Sequence, residues 1–186
     1  MIGGRDFLLK NNVLYNRFVC EFYEELNKNR KLNSDIVFLC IGTDRITGDC
    51  FGPLVGNKLQ ENNAKYLNLK VYGTLEKNVN ASNLNDKVKE IYMNYKEPYI
   101  IAIDSALSNQ ESVGKIIVSN QLLKAGIGIR NKSINIGDIS IRAIIGKREK
   151  QAYRNMDVLQ NVSLNMVMNL SKIVSNGIIE VMKNVK

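Results

Sequence analysis

Apolar residues in this chain recur with two different periods, and the periods alternate. Leu14, Phe18, Phe22 and Leu26 return every fourth residue, which lines one helical face and predicts an amphipathic helix over residues 13–28. The continuous run IVFLCIG, beginning at Ile36, is short and unbroken, as expected of a strand covered on both faces. Leu54, Val55 and Leu59 then predict a helix to about Asn62, and LKVYGTL, from Leu69, a second strand. Leu84, Val88, Ile91, Tyr92 and Tyr95 return to helical spacing, so residues 82–95 are predicted helical and stop before Pro98. YIIAID, ending at Asp104, repeats the buried-strand pattern. Beyond residue 107, GKIIVSN and ISIRAIIG are strand candidates. Between them KAGIGIRNKSINIGD is polar and glycine-bearing, and reads as loops that wall a cleft. Leu159, Val162, Met166, Leu170, Ile173 and Val181 put one apolar stripe on residues 156–183, a single long helix whose methionines are core filler.

This alternation of helix and strand is the pattern of an α/β domain. At 186 residues, with two prolines and no Ser/Gly-rich stretch, the whole chain, residues 1–186, is expected to make one domain. No apolar run approaches the roughly 20 residues that span a bilayer, and MIGGRDFLLKNN lacks a signal peptide's apolar core. A soluble intracellular protein is the expectation. Cys20, Cys40 and Cys50 show no C-x-x-C spacing, so neither a disulfide framework nor a structural zinc site is indicated.

Histidine is absent from the chain, and this narrows the chemistry more than any motif. Ser-His-Asp and Cys-His catalysis and imidazole-ligated zinc are excluded. The net charge of +8 favours approach to acidic partners. The basic residues are nevertheless scattered and aromatics make up only 7%, which describes a solvated basic surface better than a nucleic-acid groove.

Carboxylates carry the remaining signal. IGTDRITGDCFGP puts Asp44 and Asp49 in the loop after the first strand, and Asp104 closes YIIAID. In a parallel sheet both strand ends open on one edge, where ligands and catalytic groups collect. Asp49 and Asp104 are therefore the candidate catalytic pair, with Thr43, Asp44, Ser105 and Asp138 as candidate substrate-binding residues around them. Structural readings stand beside these. Asp49 or Thr47 suits a helix cap ahead of Pro53, Asp104 a turn closed through its own backbone, and Asp138 a strand start. Without G-x-G-x-x-G or G-K-[ST], the loop is a poor phosphate cradle. Two aspartates close together share a proton, one as acid and one as base, with N–H groups of the glycine-bearing loop as the expected oxyanion donors. A divalent-cation site of Asp49 and Asp104, with Asp138 as an optional third ligand, is the alternative use of the same oxygens.

GTDRITGDCFGPLVG, YIIAIDSAL and GIGIRNKSINIGDISIRAIIG together resemble the YyaC family of sporulation proteins over most of the chain. Over residues 36–146 they are also similar to the germination protease of spore-forming bacteria, itself like the hydrogenase-maturation endopeptidases in fold. The resemblance implies a three-layer αβα sandwich of the phosphorylase/hydrolase-like type with a mostly parallel central sheet. It places Asp49 on the protease's first catalytic aspartate and Asp104 on its second. In the maturation endopeptidases these positions bind metal together with a histidine; with none here, a paired-acid peptidase using no metal and no cofactor is expected. The chain departs from the protease in being shorter, in having Gly48 where proline precedes the acid, and in lacking a recognisable propeptide. The implied substrate is a protein or peptide, small spore proteins above all, in the cytoplasm of the forespore or mother cell. The rival reading is an inactive spore protein that binds DNA or a protein partner through its basic surface.

Overall fold

The computed structural model describes residues 4–29, 34–66, 69–125 and 134–184. Five helices and seven strands follow in the order α1 (Gly4–Asn29), β1 (Ile36–Cys40), α2 (Phe51–Tyr66), β2 (Lys70–Tyr72), α3 (Leu84–Asn94), β3 (Tyr99–Ser108), β4 (Ile116–Ser119), β5 (Leu123–Ala125), β6 (Ile134–Ile136), β7 (Ile139–Lys147), α4 (Ala152–Asn161) and α5 (Leu164–Asn184). The main sheet has the order β2-β1-β3-β7-β4. Its first four strands are parallel and β4 runs antiparallel to β7.

Strand alternation divides the apolar residues between two cores. Phe38, Cys40, Ile101, Ile103, Ile141 and Ala143 face one side, where Phe18, Phe22 and Leu26 of α1, Phe51, Val55 and Leu59 of α2 and Val167, Val174 and Ile178 of α5 cover them. Val37, Leu39, Ile100 and Ala102 face the other, beneath Leu84 and Ile91 of α3 and Leu123 and Ile136 of β5 and β6. Burial on both faces explains why β1 and the first half of β3 are apolar without a break. The architecture is the expected three-layer α/β sandwich, with a small β5–β6 hairpin sharing the second helical layer.

Three expectations are corrected. The stripe over residues 156–183 belongs to two helices, because Val162 is extended (φ −69°, ψ 155°) and Ser163 Oγ accepts the Met166 N–H at 3.4 Å, opening a new helix. The two ends of KAGIGIRNKSINIGD pair as β5 and β6, Lys124 opposite Asn135, where loops were expected; its residues 126–133 lie outside the described part. Finally, β3 does not end at Asp104 but continues to Ser108. It outruns β1, whose last partner is Cys40 opposite Ile103, so Asp104 has only β7 beside it. The early end of β1 makes the notch in the sheet's rim where the site sits.

Candidate active site

The chain leaving β1 turns at Gly42, whose φ of +142° is a conformation that L side chains rarely adopt. Its N–H donates to Val79 O at 2.7 Å, and the Thr43 N–H donates to Asp49 O at 3.1 Å, closing residues 43–49 into a compact loop. A short 3-10 turn, Gly48–Cys50, delivers Asp49 to the rim and runs straight into α2. Gly48 explains the departure from proline noted above: a Cβ there would lie 2.6 Å from Ile145 Cδ1 and 2.9 Å from Leu159 O of α4. No side chain fits between the loop and the helix lying on it.

The turn that carries Asp49 packs against β3, the strand that carries Asp104. Both acids are half-buried. Burial pushes the Asp104 carboxyl well above the usual aspartate range, and the charge of Asp49 pushes it further; the Ser105 N–H, 2.8 Å from Asp104 Oδ1, and the cation of Arg142 pull the other way. Burial also raises Asp49, against the opposing Thr43 N–H. These two acids are electrostatically joined although remote in the chain. Thr47, the rival candidate for the cap, makes no side-chain cap hydrogen bond.

The other expected residues divide. Thr43 and Asp44 are on the same loop, Thr43 Oγ1 donating to Asp44 Oδ1 at 3.4 Å and accepting the Arg45 N–H at 3.4 Å, with Asp44 exposed at the mouth. Ser105 follows Asp104 directly, and alternation along β3 turns its side chain to the opposite face. Asp138 is not at this rim. It exchanges hydrogen bonds with Ile100, its N–H to Ile100 O and the Ile100 N–H to its Oδ2, each 2.7 Å, at the beginning of β3. Four residues of strand separate Ile100 from Asp104, roughly 13 Å. Asp138 therefore does not join Asp49 and Asp104 as a third cation ligand, and the described residues hold no cluster of three or more metal-type ligands. Asp138→Ala is expected to cost about 1–3 kcal/mol, by leaving the Ile100 N–H without its acceptor, and to leave any catalysis at the distant rim unchanged. Urea unfolding alongside an activity assay checks both halves.

Part of the expected set of oxyanion donors is engaged within the loop. The N–H groups of Gly42, Thr43, Asp49 and Cys50 are spent on the carbonyls of Val79, Asp49, Ile46 and Thr47. Cys50 adds no nucleophile, because burial first, then the charges of Asp44 and Asp49, raise its thiol. Pattern reading passes over one residue of the site, Arg142, which lies opposite Asp104 in the β3–β7 register. The signal was available: Arg142 is the only charged residue in ISIRAIIG, an otherwise apolar run.

A family model described as "Protein of unknown function (DUF1256)" matches residues 8–177. The chain belongs to this family. The uncharacterized protein YyaC of Bacillus subtilis (strain 168) is 39% identical over 143 residues, 77% of this chain and 67% of that relative. The resemblance drawn from the sequence is thus confirmed for the family. Among solved structures, the [NiFe] hydrogenase maturation protease HycI from Thermococcus kodakarensis KOD1 superposes with a TM-score of 0.48 and 17% identity, over 86% of this chain and 99% of its own. Among the described residues no helix is long and apolar enough to cross a membrane.

Proposed function

We propose that this member of the DUF1256 family is an aspartate-dependent endopeptidase acting on a small spore protein. The observation that supports it is the nearness of Asp49 to Asp104, two acids on separate strand-loop units: the turn carrying Asp49 packs on β3, and the charge of Asp49 raises the buried Asp104 carboxyl.

The two environments favour one division of the roles. Asp104, raised by burial and by its neighbour's charge, keeps the shared proton and is the general acid. Asp49, which the Thr43 N–H favours as an anion, is the general base. Asp49 takes a proton from a water whose oxygen bonds to the peptide carbonyl carbon. Asp104 gives its proton to the nitrogen as the C–N bond breaks. A proton passing from Asp49 to Asp104 restores the starting state. Because the pair titrates as a unit, its two apparent pKa values belong to both residues.

Incubation with small spore proteins, followed by mass spectrometry, tests the reading. Discrete peptides that appear with the wild type and are absent with Asp49→Asn are expected. Intact substrate, or equal cleavage by the folded variant, contradicts it; if the folded protein instead retains DNA with steep salt dependence, the binding reading takes its place.

A further inference from the structure

Negative charge develops on the carbonyl oxygen when water adds to a peptide bond, and several N–H groups around the acid pair are already engaged elsewhere. The N–H groups of Gly42, Thr43, Asp49 and Cys50 serve the loop itself, that of Arg45 serves Thr43 Oγ1, and that of Ser105 serves Asp104. Arg142 is placed to receive that charge. It stands directly across from Asp104 on β7, so strand pairing puts both side chains on one face of the sheet. Its side chain is half-buried, and its Nε is fully buried with no hydrogen-bond acceptor among the described residues. Buried polar groups in native proteins are nearly always satisfied, and one that is not, beside a reactive pair, points to a partner that arrives with the substrate.

We propose that the Arg142 guanidinium binds the carbonyl oxygen of the scissile peptide bond and holds the charge that forms on it. The inference rests on the peptidase reading of Asp49 and Asp104. As the water oxygen bonds to carbon, the carbonyl π pair moves onto oxygen, where the guanidinium N–H bonds strengthen. The pair returns to carbon as the C–N bond breaks and Asp104 protonates the nitrogen. Arginine suits this task because its charge is permanent and its donors are fixed in a plane, which lysine does not offer. Such a donor acts on the transition state, so its loss lowers kcat and leaves KM nearly unchanged.

The test uses an alanine-based phosphinic peptide, whose tetrahedral P–O⁻ group imitates the charged intermediate. In the 15N-labelled wild type the Arg142 Nε–H signal, assigned by its disappearance in Arg142→Lys, is expected to move downfield and to exchange more slowly with water when the peptide is added. Arg142→Gln is expected to lower affinity for this probe by on the order of 100-fold, with Arg142→Lys recovering part of it. The carboxyl signals of Asp49 and Asp104 are followed in the same titration. Carboxyl signals that shift while the Arg142 signal stays fixed overturn the role of Arg142 and leave the acid pair standing. Failure of both sets of signals to respond overturns the arginine and the peptidase together. The wild-type measurement needs only the conservative Arg142→Lys for its assignment, so a misfolded Arg142→Gln does not decide the outcome.

Discussion

Asp104→Asn is expected to abolish peptide hydrolysis while raising thermal stability at neutral pH. Asn keeps the shape of Asp and an oxygen for the Ser105 N–H, but it neither carries the shared proton to the leaving amine nor ionises. Loss of general acid-base chemistry of this kind lowers rates by on the order of 10²–10⁴-fold. The stability effect follows from linkage. Because burial and the Asp49 charge hold the Asp104 pKa above 3.8 in the folded protein, that state keeps a proton which the unfolded chain releases. Stability therefore falls as pH rises from the unfolded value through the folded one, and levels off above it. Asn imposes no such loss, so the advantage of Asp104→Asn is near zero at the acid end and largest above the folded pKa. Thermal melts at pH 4 and pH 8 measure it. Cleavage at the wild-type rate, or an advantage that shrinks as pH rises, contradicts the assignment.

Gly42→Ala is expected to be among the most damaging changes to the fold around the site, costing more than about 4 kcal/mol. Its φ of +142° already strains any L residue, and a Cβ would lie 1.9 Å from Asp49 O and 3.1 Å from Pro53 Cδ. Relief requires moving the loop, which breaks the bonds from the Gly42 N–H to Val79 and from the Thr43 N–H to Asp49. Gly114 supplies the control. It also has positive φ, at +87°, but nothing lies within 4 Å of its imagined Cβ. Gly114→Ala is expected to cost roughly 1–2 kcal/mol from backbone conformation alone. Urea unfolding of the two variants separates strain from collision; equal losses contradict the packing described for the loop.

These expectations draw on parts of the molecule that were unequally legible in the sequence. Strands buried on both faces announce themselves, so β1, β3 and β7 were visible as apolar runs, and the placement of Asp49 and Asp104 after strands pointed to a common rim. The division of α4 from α5 was hidden because the apolar stripe runs through Val162, and only the extended backbone there with the Ser163 hydroxyl ends one helix and starts the next. Pairing of β5 with β6 is a contact between separated segments, which local periodicity does not encode. Asp138 was misplaced for a reason the sequence contained: it precedes β7, whereas Asp49 lies beyond the end of β1 and Asp104 lies on β3 just past the last residue paired with β1. In parallel strands those positions belong to opposite edges. Arg142 needed the register of β3 against β7 before its position beside Asp104 could be seen. The surplus of positive charge, by contrast, says little about this site, which is built from two acids and one cation.

A carboxyl-detected NMR titration of selectively 13C-labelled aspartates, in wild type and Asp49→Asn, goes straight to whether the two acids act as one unit. Asp104 is expected to titrate well above 3.8 in the wild type and to move down in Asp49→Asn, while staying raised because its burial remains. An Asp104 midpoint near 3.8, or one that does not respond to the loss of the Asp49 charge, would mean that the side chains do not share a site.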